Sequence, residues 1–73
     1  MSRYLVIIEE SATGYSAFLP DLPGCIATGA TREEVENAMR EGVDFHLEGL
    51  REAGEPLPPP RSTAAYVEVA AQT

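Results

Sequence analysis

The apolar positions of this chain follow strand periods in its first third, a helical period in its middle, and a strand period again near its end. Tyr4-Leu5-Val6-Ile7-Ile8 is apolar throughout and rich in β-branched and aromatic residues, which predicts a first strand over about residues 3–9. Tyr4, Val6 and Ile8 fall on one face and Leu5 and Ile7 on the other. A strand apolar on both faces is covered on both. Glu9 to Gly14 reads as a turn, and residues 15–19 as a second strand in hairpin with the first. Pro20 ends it by removing a ladder donor. Pro23-Gly24 supplies the preferred central pair of a type II turn, and residues 25–28 make a short third strand.

Thr31-Arg32-Glu33-Glu34 then forms a capping box, with Glu33, Glu34 and Glu36 placing negative charge at the positive end of a helix. At helical spacing Val35, Ala38, Met39, Gly42, Val43, Phe45, His46, Leu47, Leu50 and Ala53 gather on one side. The helix is predicted over about residues 32–53, with Glu36 and Arg40 as an i,i+4 pair and Gly54 as its C′ residue. Glu55-Pro56-Leu57-Pro58-Pro59-Pro60 can neither prolong the helix nor enter a central strand, so it reads as a stiff return connection. Residues 65–69 alternate as a fourth strand, and 70–73 are a short tail.

The predicted fold class is α+β, in the order β-β-β-α-β. One helix lies on one face of a four-stranded mixed sheet. The crossover through the helix makes strands three and four parallel, and strand one is expected between strands two and four. One helix covers one sheet face and nothing in the chain is left for the other. That open face, carrying Leu5 and Ile7, should meet another protein chain, a copy of itself or a partner.

Length reinforces this expectation. At 73 residues there is room for a single domain, 1–73, whose core is marginal without a supplement. Cys25 is the lone cysteine, so no internal disulfide forms, and one Cys with one distant His, His46, is a poor zinc set. Oligomerisation, as a dimer or tetramer, is the remaining supplement. The net charge is −7, from 12 acidic residues against 5 basic ones, all arginine. This argues against nucleic acid as a partner and suits a basic protein, while also serving solubility. The longest apolar run falls far short of the roughly 20 residues a membrane span needs, and no signal-peptide pattern is present. With a free thiol, these features point to the cytoplasm.

The residues Tyr15-x-Ala17-x-x-Pro20-Asp21-Leu22-Pro23-Gly24-Cys25-x-x-x-Gly29-x-Thr31-x-Glu33-Glu34 carry a more specific signal. With the preceding strand and Glu55-Pro56-Leu57-Pro58, this chain resembles the HicB antitoxin family from about Tyr4 to Pro60. The resemblance implies a truncated RNase H-like fold. It also implies a role: neutralising a small basic HicA-type toxin, an mRNA-cleaving ribonuclease, by covering its active site and RNA-binding surface. Many HicB proteins add a C-terminal DNA-binding domain. Only four residues follow Val69, so direct DNA binding is not expected.

Candidate chemistry is sparse. RNase H catalysis needs carboxylates converging on divalent metal. Asp21, Glu9 and Glu68 are the available set for a small metal-dependent nuclease, and they read better as solvated turn and strand ends. No catalytic residue, metal or cofactor is therefore assigned. His46 has no evident nucleophile or orienting partner and reads as structural. Cys25 reads as a small buried hydrophobe. Asp21 either bonds its own turn or contacts a partner, with Leu22 beside it as the second partner-binding candidate. Gly42 suggests a close helix–strand approach. The leading expectation is a non-catalytic, homo-oligomeric antitoxin-like domain. The alternative is an orphan structural or regulatory module with no toxin.

Overall fold

The structure, a computed structural model, describes residues 3–70. Three strands and one helix follow in order: β1 (Ile7–Ser11), β2 (Gly14–Phe18), β3 (Ile26–Gly29) and α1 (Arg32–Glu52). The strands form one antiparallel sheet in the order β1-β2-β3, and α1 packs across one face. The chain is thus α+β, as its sequence patterns indicate.

The sheet differs from expectation in two respects. It has three strands among the described residues, all antiparallel, and β1 lies at an edge with β2 in the centre. Residues 65–69, expected as a fourth strand beside β1, belong to no strand and stand in solvent. The first strand is displaced as well, beginning at Ile7 rather than near residue 3. Ile7 pairs with Phe18, the last residue of β2, so residues 4–6 run beyond the end of their neighbour. A strand needs a ladder partner, and the turn at Pro20 carries β2 away from them. The tail beyond Ala70 lies outside the described residues.

The helix termini are chemically complete. Thr31 Oγ1 accepts from the Glu34 amide at 3.1 Å, and Glu34 Oε1 reaches back to the Ala30 amide at 2.9 Å. At the other end Gly54 takes φ +73°, its amide bonding Arg51 O and that of Glu55 bonding Leu50 O. This Schellman arrangement needs a left-handed residue, which is why the helix stops at a glycine. On the surface Glu36 pairs with Arg32 at 2.9 Å rather than with Arg40, which bonds the Asn37 side-chain oxygen.

Ala17, Leu19, Leu22, Cys25, Val35 and Met39 are the buried core, flanked by the half-buried Tyr4, Val6, Ile8, Tyr15, Ala27, Val43, Leu47 and Leu50. Ala38, Phe45 and Ala53, placed on the apolar helix face by periodicity, are exposed. Length explains part of the mismatch. The 21 residues of α1 span about 31 Å, whereas a five-residue strand spans about 17 Å. The sheet therefore roofs little more than half of the helix, and both fully buried helix residues, Val35 and Met39, lie in its first half.

Candidate protein-binding surface

The segment joining β2 to β3 is a rigid corner made of two successive turns. The Leu22 amide bonds Leu19 O and the Cys25 amide bonds Leu22 O, each at 3.2 Å. Pro20 and Pro23 each stand second in their turn, where their preset φ is wanted, and Gly24 takes φ +88°, as a type II turn requires at its third residue. Leu22 points inward and is 0% exposed. In this conformation it anchors the corner to the core, and its influence on any bound partner runs through the shape of the turn.

Asp21 faces the other way, toward the return connection. Its Oδ2 accepts from the backbone amides of Arg61 (2.8 Å) and Ser62 (2.7 Å), and its Oδ1 accepts from the Ser62 hydroxyl at 2.8 Å. These bonds hold the carboxyl below its ordinary value. The Ser62 amide contributes most and the Ser62 hydroxyl next; partial burial opposes them, and the Arg61 amide and charge add to the lowering. Asp21 thus latches the proline-rich return onto the corner across 40 residues of sequence, instead of bonding its own turn. A second tie lies nearby, where the Tyr4 hydroxyl donates to Pro58 O. Nothing in the local sequence marks Ser62 as the partner of Asp21.

On the sheet face opposite α1, register aligns Ile7, Phe18 and Ile26 in one row across all three strands. Phe18 is 40% and Ile26 76% exposed. Ile7, and Leu5 two residues before it, are half-buried. The next outward row, Glu9, Ser16 and Thr28, is polar. The helix-facing rows alternate with these and carry Ile8, Ala17 and Ala27. An apolar ridge on an open face is a surface suited to another protein. Sequence reasoning found Leu5 and Ile7 but missed Phe18 and Ile26. Alternation from the core residue Cys25 places Ile26 outward and would have found it. Exposed Glu33, Glu41, Asp44, Glu48 and Glu52 make the solvent side of α1 acidic.

The remaining sequence candidates are placed as follows. Cys25 is buried, its Sγ 3.7 Å from Met39 Sδ, and burial pushes its thiol above the usual range. His46 is half-buried beside the corner, its Cε1 4.0 Å from where a Cβ on Gly24 would lie. Gly42 is not required by a close approach, because a Cβ there would meet Cys25 Sγ at 3.8 Å, an ordinary contact. Close approach requires glycine at Gly29, where a Cβ would stand 2.9 Å from the Val35 amide nitrogen, and at Gly14, where it would stand 2.6 Å from Gly29 O. Asp21 is committed to the latch, Glu9 lies mid-strand on the open face, and Glu68 is on the exposed terminal segment. The described residues contain no group of three His, Cys, Asp or Glu side chains placed to hold a metal ion. Among them, no helix is long and apolar enough to cross a membrane.

The family model described as "HicB_like antitoxin of bacterial toxin-antitoxin system" matches residues 4–72. The chain belongs to the HicB-like antitoxin family. Antitoxin HicB 2 of Photorhabdus laumondii is 36% identical over 74 residues, covering 94% of this chain and 50% of that protein. An uncharacterized 14.9 kDa protein of Haemophilus phage HP1 is 36% identical over 64 residues, 88% of this chain and 48% of that one. A UPF0150 protein of Thermoplasma acidophilum is 33% identical over 57 residues, with 77% and 83% covered. The chain spans about half the length of the first two relatives. Among solved structures, a chain of the HicA3 and HicB3 toxin-antitoxin complex superposes with a TM-score of 0.69 at 32% identity, over 81% of this chain and 70% of that chain.

Proposed function

We propose that this chain is the neutralising domain of a toxin–antitoxin pair, acting without catalysis by binding a small basic HicA-type toxin and masking its active site. The observation that carries this reading is the structural likeness to a chain of a HicA–HicB complex, across most of this chain. Two further features support it. The excess of 12 acidic over 5 basic residues favours a basic partner through faster electrostatic encounter. The uncovered ridge of Ile7, Phe18 and Ile26 supplies an apolar centre that such a contact needs. The corner at Asp21 and Leu22 contributes shape to the toxin-binding surface. The working form is a homo-oligomer in the cytoplasm, with Leu5 and Ile7 near the contact between copies. In that assembled form residues 65–69, which stand free in the single chain, supply a fourth strand and complete a truncated RNase H-like sheet.

Co-expression with a HicA-type toxin from the same host tests the proposal. The chain should restore growth and co-purify with the toxin, and binding should weaken as salt rises. Growth arrest that persists while the chain is soluble and abundant refutes it.

A further inference from the structure

Among the described residues, two segments with strand sequences have no ladder partner. Residues 4–6 prolong β1 past the end of β2. Residues 65–69, Ala-Tyr-Val-Glu-Val, alternate as a strand does yet lie in solvent, with Tyr66 102%, Val67 84% and Val69 71% exposed. The molecule is correspondingly long. Its radius of gyration is 14.6 Å and its longest extent 50 Å. A compact chain of this length has a radius of gyration of about 11 Å.

The missing neighbour of β1 has left its space behind. A groove of about 1450 Å³ lies between residues 3–8, the solvent-facing reach of α1 and the return connection. Val6, Ile8, Val43 and Leu47 give it an apolar floor. Arg3, Arg32, Arg40 and Arg51 border it together with Glu36 and Asp44, and Arg32 is paired with Glu36 and Arg51 with Glu48. Its apolar floor fits one apolar face of a short strand, and residues 65–69 alternate as such a strand does.

We propose that two copies of this chain exchange their C-terminal segments, residues 65–69 of each adding to the free edge of β1 and residues 4–6 of the other. The Asp21–Ser62 latch sets where the segment departs, and only Thr63 and Ala64 separate it from the strand. Strand alternation turns Val67 and Val69 toward the apolar floor and Tyr66 and Glu68 to the opposite face of the sheet. The exchange uses the same two surfaces on both copies, as a two-fold dimer demands. It supplies each copy's fourth strand and covers the part of α1 that the three-stranded sheet leaves open. The inference rests on the homo-oligomer part of the proposed function and is independent of the toxin.

Light scattering on the full chain across about 1–100 µM should give a dimer whose population rises with concentration. Val67→Pro and Glu68→Pro are the decisive variants. Successive residues turn their amides to opposite edges, so one of the two removes a ladder donor whichever edge pairs. That variant should raise the dimer dissociation constant at least about tenfold with the helical circular dichroism unchanged. Ile26→Ser, on the open sheet face, should leave the dimer intact. A dimer indifferent to both prolines but dissolved by Ile26→Ser overturns the exchange and leaves the homo-oligomer standing. A monomer at every concentration overturns both, and toxin neutralisation by that monomer would leave the antitoxin reading untouched.

Discussion

Leu22→Ala separates two meanings of the Pro-Asp-Leu-Pro-Gly-Cys corner. The residue sits in the most family-specific stretch of the chain, where a partner contact is a natural expectation, yet its side chain is 0% exposed. Truncating a buried leucine costs about 2–5 kcal/mol, the transfer term plus the cavity left behind. A chain of 73 residues has roughly 4–11 kcal/mol of stability in total. The substitution therefore removes a large share of it. The small core makes the upper half of that range the expectation, because Ala17, Cys25, Val35 and Met39 have few neighbours with which to collapse onto the cavity. Urea unfolding followed by circular dichroism, at one fixed protein concentration, measures the loss, and the midpoint temperature should fall by on the order of 10 °C or more. Leu22→Met, which conserves volume, should cost less than about 1.5 kcal/mol. A Leu22→Ala variant that loses under about 1 kcal/mol of stability yet no longer binds its partner would refute the anchoring role. That result would make Leu22 a contact residue, turned outward in the complex.

Asp21→Asn should release the return connection, read as faster hydrogen exchange at the Ser62 amide. The folded carboxyl lies below its ordinary value of 3.8, so the latch is complete above that pH and is lost as pH falls below it through the lowered folded value. Gly42→Ala should stabilise the protein by about 0.4–1 kcal/mol, because the helix gains propensity and the added Cβ meets only an ordinary contact with Cys25; a loss of stability would show that the helix lies closer to the corner. Thr31→Ala removes the cap accepting from Glu34 and should cost about 0.5–2 kcal/mol in thermal unfolding, whereas Thr31→Ser should cost little. Cys25, buried and raised in pKa, should resist iodoacetamide in the native protein and react once urea unfolds it; equal rates in both states would contradict its placement.

The sequence by itself determined the local elements. The capping box at Thr31, the glycine stop at Gly54, the type II turn at Pro23-Gly24 and the hairpin before it are written in residues whose backbone preferences act over a few positions. It also placed Leu5 and Ile7 on the strand face opposite Val6 and Ile8, since strand alternation needs no tertiary information. Tertiary structure decided the pairings. Strand order depends on which segments find partners, and only the fold reveals that Pro20 turns β2 away from residues 4–6 and that residues 65–69 stay apart from their own sheet. The Asp21–Ser62 latch is likewise a contact between distant parts of the chain, which no local preference encodes. The same holds for the groove beside β1: residues 3–8, α1 and the return connection are scattered in sequence and border one space only in the folded chain.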